Sequence, residues 1–182
     1  MTPRLFTDIQ GAEGEVLGAY PDPDSPLGQA CARRGLHPQD WKRLPGGETL
    51  DGAPWTIGYG HTGPEIHPGL TWTSSQAEAA LHLDVARAVA ALDAHLPWWR
   101  RLDDVRQDGL AELCFNMGLG EAGEPARPGR GLRSFVQMLS ALEAGRYAQA
   151  AEALMASRWA KEVGARAGRI EHMLRTGARQ TP

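Results

Sequence analysis

Helical periodicity over the second half of the chain is the feature that most restricts its fold. The chain has 182 residues, and from Thr73 onward apolar residues recur every three or four positions. This is the spacing of one face of an α-helix. The predicted helices cover about 73–96, 103–117, 132–144, 147–157 and 165–175. Any β-structure must therefore come from the first 72 residues.

Capping residues mark where the two longest predicted helices begin. Thr73 is followed three residues later by Gln76, which is the pattern of a capping box. Asp103 stands directly before the next periodic run and is predicted to cap it. The glycine-rich stretch between Gly118 and Gly131 predicts a loop between helices.

The N-terminal part predicts one helix and one short strand. Thr2 and Pro3 form a helix start signal, and the helix is expected to fade between Gly14 and Gly18. Residues 55–60, with the sequence WTIGYG, predict a strand whose glycines allow backbone or ligand to approach closely. Residues 61–72 are predicted to leave that strand as a loop.

Proline, glycine and charged residues dominate 21–54, between the first helix and the strand. Two short helices are predicted inside it. One covers 26–34 behind a Ser25 cap, and the other covers 38–44. The stretch is therefore expected to be an ordered, turn-rich segment.

Composition describes a globular protein whose charge is spread unevenly. The net charge is −3, yet residues 125–182 hold ten Arg and Lys against four Glu, and residues 1–124 hold nine against eighteen acids. A basic second half suits an anionic polymer as partner. It equally suits a solvated, arginine-rich helical surface, and both interpretations stay open.

Cysteine usage and hydropathy exclude several classes of protein. Cys31 and Cys114 stand far apart, without the spacing of metal ligands, so neither a disulfide framework nor a metal site is predicted. No apolar run is long enough to span a membrane, and the N-terminus lacks the apolar segment of a secretory signal. We expect a protein that stays in the cytoplasm until something else releases it.

Two acidic residues flank the end of the first predicted helix. Glu13 falls near its C-terminal end, and Asp22 follows nine residues later, beyond a turn. Hydrolysis of a glycosidic bond with inversion uses two such carboxylates, held about 6.5–9.5 Å apart with a water between them. This spacing alone is common, so it indicates little until it is joined to the glycine-spaced strand.

The two stretches together are specific. Glu-Gly-x-x-Leu-x-x-Tyr-x-Asp at 13–22, followed by Thr-Ile-Gly-Tyr-Gly-His at 56–61, resembles the phage-type lysozymes of glycoside hydrolase family 24. Weaker likenesses occur at 83–85, 102–106, 115–118, 150–152, 157–159, 166–170 and 175–177. The resemblance implies a lysozyme-like α+β fold that is predominantly helical, with a small β region, an inserted flap and a helical C-terminal lobe.

The implied organisation is a single domain over 1–182. Residues 1–72 would form an N-terminal lobe, and 73–182 a long connecting helix and the helical lobe. Relatives join the Asp and the Thr by a short hairpin, whereas 33 residues separate Asp22 from Thr56 here. The excess at about 24–51 is expected to be an extra flap. It either contributes to substrate binding or only decorates the surface.

The resemblance also implies a role for each matching residue. Glu13 is similar to the general acid that protonates the leaving glycosidic oxygen. Asp22 is similar to the second carboxylate, a base for water or an electrostatic support. Thr56 is similar to the hydroxyl that holds the attacking water. His61 is expected to pair with Asp84, which gives it a structural role.

Further residues are carried over more loosely. The resemblance implies that Arg169 is a charged neighbour of Glu13 and has a supporting structural role. Asn116 and Trp159 are candidate substrate-binding residues, although a tryptophan such as Trp159 is more often a core residue.

Two other acids lie close to the motif. Asp24 could take the place of Asp22, but the spacing from Glu13 favours Asp22. Glu15 is interpreted as a solvated carboxylate, because positions two apart on a helix point to different faces. Ala12 stands where some relatives carry an acid, so a salt bridge from that position to Arg169 is missing.

The implied function is that of an inverting N-acetylmuramidase acting on peptidoglycan. It would cleave the β-1,4 bond between N-acetylmuramic acid and N-acetylglucosamine, without metal or cofactor. We expect a monomeric endolysin of a phage or prophage that reaches the wall through a separate holin-type pore, with no nucleic-acid partner and no stable membrane insertion. The alternatives are a lytic transglycosylase or chitinase-type hydrolase on the same fold, or a non-catalytic wall-binding module.

Overall fold

The computed structural model describes residues 1–120 and 131–180, and helices dominate this part of the chain. The helices are α1 (Pro3–Glu13), α2 (Pro26–Arg33), α3 (Ser74–His95), α4 (Asp104–Met117), α5 (Val136–Glu143), α6 (Tyr147–Met155), α7 (Arg158–Val163) and α8 (Ala165–Thr176). The strands are β1 (Val16–Pro21), β2 (Trp55–Gly58) and β3 (His61–Thr62). Short 3-10 helices cover Pro38–Arg43, Gly47–Thr49, Pro97–Arg101 and Leu132–Ser134. The predicted α+β, mainly helical class is confirmed.

The chain divides into two compact units. Residues 6–84 form one unit, and residues 1–5 together with the described part of 85–182 form the other. The expectation of a single domain stays a prediction.

A small antiparallel sheet organises the unit of residues 6–84. Its strand order is β1-β2-β3, and Thr56 of β2 lies opposite both Tyr20 of β1 and Thr62 of β3. Side chains alternate between the faces of a strand. One face carries Ala19 and Ile57, which are buried against each other in a small apolar cluster. The opposite face is therefore the one that carries Tyr20 and Thr56.

The strand prediction differs from the structure in three places. β1 was not predicted, and it begins at Val16, in the stretch where the first helix was expected to fade. The strand predicted over 55–60 is present as β2, which ends at Gly58. His61 and Thr62, predicted as loop, form β3. Gly18 and Pro21 interrupt the alternation of β1, and β3 has two residues only, so neither strand produces a period-2 signal in the sequence.

The insertion between β1 and β2 is folded around an apolar cluster of its own. Leu27, Cys31 and Leu44 are buried together, and Trp41 and Trp55 pack against them. The predicted Ser25 cap is confirmed, since its hydroxyl accepts a hydrogen bond from the Gly28 amide at 3.0 Å. The helix predicted over 38–44 is present as a 3-10 helix.

The insertion is attached to the first strand by a side-chain hydrogen bond. Trp41 Nε1 donates to the carbonyl oxygen of Ala19 at 3.2 Å. The rings of Trp41 and Trp55 meet edge to face, with centroids 5.1 Å apart. The inserted residues thus pack on the sheet that carries Thr56.

Capping of the two longest helices is as predicted. The amide of Thr73 donates to Gln76 Oε1 at 2.8 Å, and the amide of Gln76 donates to the Thr73 hydroxyl at 3.3 Å. Asp103 Oδ1 accepts from the amide of Arg106 at 3.0 Å. Thr73 and Gln76 thus form a capping box, and Asp103 is an N-cap; both satisfy backbone amides at the start of a helix.

The second unit contains a helix that the sequence analysis missed. A single helix was predicted over 147–157, but α6 ends at Met155, and Ser157 caps α7 by accepting from the Ala160 amide at 3.1 Å. Six residues are too few to show helical periodicity, which explains the error. Most of the predicted loop between Gly118 and Gly131 lies outside the described residues.

Charged side chains are buried within α4 of this unit. Asp108 and Glu112 are both 0% exposed. Glu112 is paired with Arg166 at 2.9 Å and Arg169 at 2.5 Å, both from α8. Asp108 is paired with Arg179 at 2.5 Å. A buried charge requires such partners, because it loses its hydration.

Among residues 1–120 and 131–180, no helix combines the length and the apolar character required to cross a membrane.

Candidate active site

Glu13 is the last residue of α1, and its carboxylate faces the turn between β2 and β3. Gly14 follows with φ of +70°, a conformation that ends the helix and favours glycine. A Cβ added at Gly60 would lie 3.6 Å from Glu13 Oε2. The half-buried carboxylate is therefore held close to the backbone of the Gly-Tyr-Gly turn.

Thr56 and Tyr20 lie on one face of the sheet, and Asp22 follows just past the end of β1. Tyr20 and Thr56 are directly paired across β1 and β2, and such pairs place their side chains on the same face, with Cβ atoms about 4.5–5.5 Å apart. Asp22 comes two residues after Tyr20 in the chain.

The Tyr20 phenol connects the two predicted carboxylates. Burial raises the pKa of Tyr20, and the negative charges of Glu13 and Asp22 raise it further. Both carboxylates must lie near the phenol to have this effect, because the interaction of charges falls with distance. Glu13 and Asp22 are thus both electrostatic neighbours of the tyrosine that pairs with Thr56.

The insertion fixes the backbone of Asp22. The Asp22 amide donates to the carbonyl oxygens of Gly52 and Pro54 at 3.1 and 3.0 Å. The hydroxyl of Ser25 donates to the carbonyl oxygen of Asp22 at 2.6 Å. A Cβ at Gly28 would collide with that same carbonyl oxygen, so the α2 backbone approaches Asp22 as closely as only glycine allows.

Asp24, the alternative to Asp22, has a different environment. The amide of Asp24 donates to Asp22 Oδ1 at 2.7 Å. Asp24 is exposed, whereas Asp22 is half-buried. The local structure therefore uses Asp24 as a support of the Asp22 carboxylate.

His61 of β3 is a buried residue that contacts two carboxylates. Its Nδ1 is 2.7 Å from Asp84 Oδ2, and its Nε2 is 3.0 Å from Glu65 Oε1. Burial alone would lower the pKa of His61, but the hydrogen bonds and charges of Glu65 and Asp84 raise it above its ordinary value. The structure brings the predicted pair together and adds Glu65, for which the sequence carries no distinct signal.

Glu15 is exposed, in keeping with its interpretation as a solvated carboxylate, and it also has two hydrogen-bond partners. Tyr59 Oη donates to its Oε1 at 3.1 Å, and Ser74 Oγ donates to its Oε2 at 3.1 Å. Glu15 lies past the end of α1, so the argument from helical faces did not apply to it.

The remaining predicted residues belong to the second unit. Trp159 Nε1 donates to Asn116 Oδ1 at 2.8 Å, so the two candidate substrate-binding residues contact each other. Trp159 also lines a groove of about 420 Å³ together with Phe135 and Val136. Arg169 binds the buried Glu112; its predicted proximity to Glu13 stays a prediction.

No group of three or more His, Cys, Asp or Glu side chains within residues 1–120 and 131–180 could hold a metal ion. The chemistry available at the strand face is that of carboxylates, hydroxyls and one phenol.

The small antiparallel sheet within a mainly helical chain defines a lysozyme-like α+β fold. The chain belongs to the phage lysozyme family, whose model matches residues 43–175. The matched range includes Thr56, His61 and Asp84, and it begins after Glu13 and Asp22. Membership of glycoside hydrolase family 24 in particular stays a prediction.

Two curated relatives carry endolysin names. A SAR-endolysin of Bacteriophage PS34 is 29% identical over 65 residues, covering 36% of this chain and 38% of the relative. An endolysin of Bacillus phage B103 is 33% identical over 113 residues, covering 60% of this chain and 36% of the relative. The chain thus matches less than half the length of each of these relatives.

Proposed function

We propose that this protein is an endolysin that hydrolyses peptidoglycan as an N-acetylmuramidase. Family membership and the names of the two relatives support a cell-wall lytic enzyme. The observation that carries the finer proposal is the strand face, where two carboxylates act on one tyrosine directly opposite Thr56. The proposed substrate bond is the β-1,4 link from N-acetylmuramic acid to N-acetylglucosamine.

The proposed mechanism assigns one step to each residue. Glu13 donates its proton to the leaving glycosidic oxygen as the bond to the anomeric carbon breaks. Asp22 accepts a proton from the water that attacks from the opposite side of the sugar, and the Thr56 hydroxyl orients that water. One proton is given and one is taken, so Glu13 ends deprotonated and Asp22 protonated, and proton exchange with solvent restores the starting states. Attack from the opposite side inverts the anomeric centre.

Substitution of the acid tests the proposal. Glu13→Gln keeps the shape of the side chain but has no proton to donate, so release of reducing ends from purified sacculi should fall by about 10²–10⁴-fold. Asp22→Asn should also lose most activity, whereas Asp24→Asn serves as the matched control and should keep most of it. Full activity in Glu13→Gln would contradict the assignment of the acid.

The products separate hydrolysis from the competing activities. Mass spectrometry of digested sacculi should show reducing muramic acid ends. Anhydro-muramyl ends would instead indicate a lytic transglycosylase, and binding to sacculi without released sugar would indicate a wall-binding module. Cleavage of chitin at a rate similar to that of sacculi would favour a chitinase-type hydrolase.

We extend the proposal to release from the cell. The protein is expected to act as a monomer on the wall after passing through a separate holin-type pore. Expression alone should then leave Gram-negative cells intact, and chloroform should trigger lysis. Lysis without any permeabilising treatment would contradict this part of the proposal.

A further inference from the structure

We propose that Glu15 and Tyr59 form a clamp that positions Glu13, so both are positioning residues for the reaction. The clamp is defined as the Tyr59 hydroxyl, the Glu15 carboxylate and the hydrogen bond that joins them. The inference rests on the proposed function, because it assigns the clamp to the residue proposed as the general acid.

The first observation is that the clamp joins two separate parts of the fold, and that a third part also binds Glu15. Tyr59 lies in the turn between β2 and β3, and it is 9% exposed. Its hydroxyl donates to Glu15 Oε1 at 3.1 Å, and Ser74 Oγ at the start of α3 donates to Glu15 Oε2 at 3.1 Å. Both oxygens of the carboxylate are therefore occupied by donors from different parts of the fold.

The second observation is where the clamp lies along the chain. Glu15 follows Glu13 by two residues, and Gly60 follows Tyr59 directly. The position of a Cβ at Gly60 is 3.6 Å from Glu13 Oε2. The clamp thus fastens the segment that carries the acid to the turn that the acid faces.

The turn needs such a fastening because glycines provide little rigidity. Gly58 and Gly60 have φ of +67° and +87°, conformations that glycine adopts at no steric cost. Glycine loses more backbone entropy on ordering than other residues. Tyr59 lies between these two glycines, and its side chain is buried and hydrogen-bonded. The side chain therefore restricts the conformation of a turn whose glycine backbone is itself flexible.

The Tyr59 phenol is suited to act as a permanent donor. Burial raises its pKa, and the hydrogen bond and charge of Glu15 raise it further. The raised pKa keeps the hydroxyl protonated, so it stays a hydrogen-bond donor to Glu15.

Steady-state kinetics of matched variants test the clamp. Tyr59→Phe keeps the buried ring and removes the donor, and Glu15→Ala removes the acceptor from an exposed position. Misplacing a catalytic group by about 1 Å can cost up to roughly 10²-fold in rate. We expect kcat on soluble glycan strands to fall about tenfold in each variant, with KM changed less than about twofold and the melting temperature nearly unchanged.

Rescue and coupling distinguish positioning from general damage. Glu15→Gln keeps an acceptor oxygen for Tyr59 and should restore most of the kcat lost in Glu15→Ala. The double variant Glu15→Ala/Tyr59→Phe should be no worse than Glu15→Ala alone, because Glu15→Ala already removes the bond that Tyr59→Phe removes. Tyr147→Phe and Glu143→Ala, in the other unit, are the controls for loss of a hydroxyl and of a surface carboxylate.

Three results would overturn the inference. These are unchanged kcat in both single variants, equal loss in Glu15→Gln and Glu15→Ala, or additive losses in the double variant. Glu13→Gln is measured in parallel. If it is inactive while the clamp variants behave as wild type, the clamp fails and the proposed function stands. If it stays active, the proposed function itself fails.

Discussion

Carboxylates in the two units of this protein have opposite environments. On α4, Glu112 and Asp108 are completely buried and are paired with arginines. Glu13 at the end of α1 and Asp22 past the end of β1 are half-buried, and the charges of both act on the phenol of Tyr20. A completely buried carboxylate cannot contact a substrate. A half-buried carboxylate keeps part of its surface open to solvent and can do so. The comparison separates acids that maintain the fold from acids that are available for chemistry.

Removing a buried carboxylate should produce the largest change in stability. Glu112→Ala leaves Arg166 and Arg169 without the carboxylate that pairs with them, and breaking a buried pair in this way costs about 3–5 kcal/mol of unfolding free energy. Urea denaturation measures it. Glu13→Gln is the contrast and should keep the unfolding free energy within about 1 kcal/mol while abolishing activity. Equal unfolding free energies of the two variants would contradict the distinction between acids that maintain the fold and acids available for chemistry.

A methyl group at Gly28 should produce an intermediate change. The new Cβ would collide with the carbonyl oxygen of Asp22 and approach Pro23 Cα at 2.8 Å. Forced shifts of this kind cost about 1–3 kcal/mol, and activity should fall because Asp22 moves. Gly168→Ala, where nothing lies within 4 Å of the added Cβ, is the control and should be neutral or stabilising by up to about 1 kcal/mol. Wild-type activity and stability in Gly28→Ala would show that Asp22 is not held by α2.

The smallest expected change is the pH dependence that His61 contributes. Its pKa is raised in the folded protein, so protonated His61 stabilises the fold below the unfolded pKa of about 6.5. This contribution is lost as pH rises through the higher folded pKa. Unfolding free energies from pH 6 to 9 should therefore decline in wild type and decline less in Asp84→Asn. Parallel curves for the two proteins would contradict the role of this pair.

Local signals explain how much of the fold could be predicted. Ser25, Thr73 and Asp103 are short-range caps whose partners lie three residues away, so sequence alone identifies them. β1 was missed because it exists only through pairing with β2, more than thirty residues later in the chain. α7 was missed because it is too short to show a period.

The candidate site divides in the same way. Glu13, Asp22 and Thr56 were selected by a motif, and in the structure both carboxylates are electrostatic neighbours of the tyrosine that pairs with Thr56. Glu15 could not be assigned a partner from sequence, because Tyr59 and Ser74 are distant along the chain. Glu112 carries no signal of burial in the sequence, because its burial against α8 comes from tertiary packing.

The configuration of the first product tests the central claim most directly. Proton NMR of soluble glycan strands during digestion reports which anomer of the new reducing end appears before mutarotation, and Glu13→Gln provides the blank. The account predicts that the α-anomer appears first from the β-1,4 bond, because water attacks from the side of Asp22 and Thr56. A β-anomer in the first spectra would contradict the account.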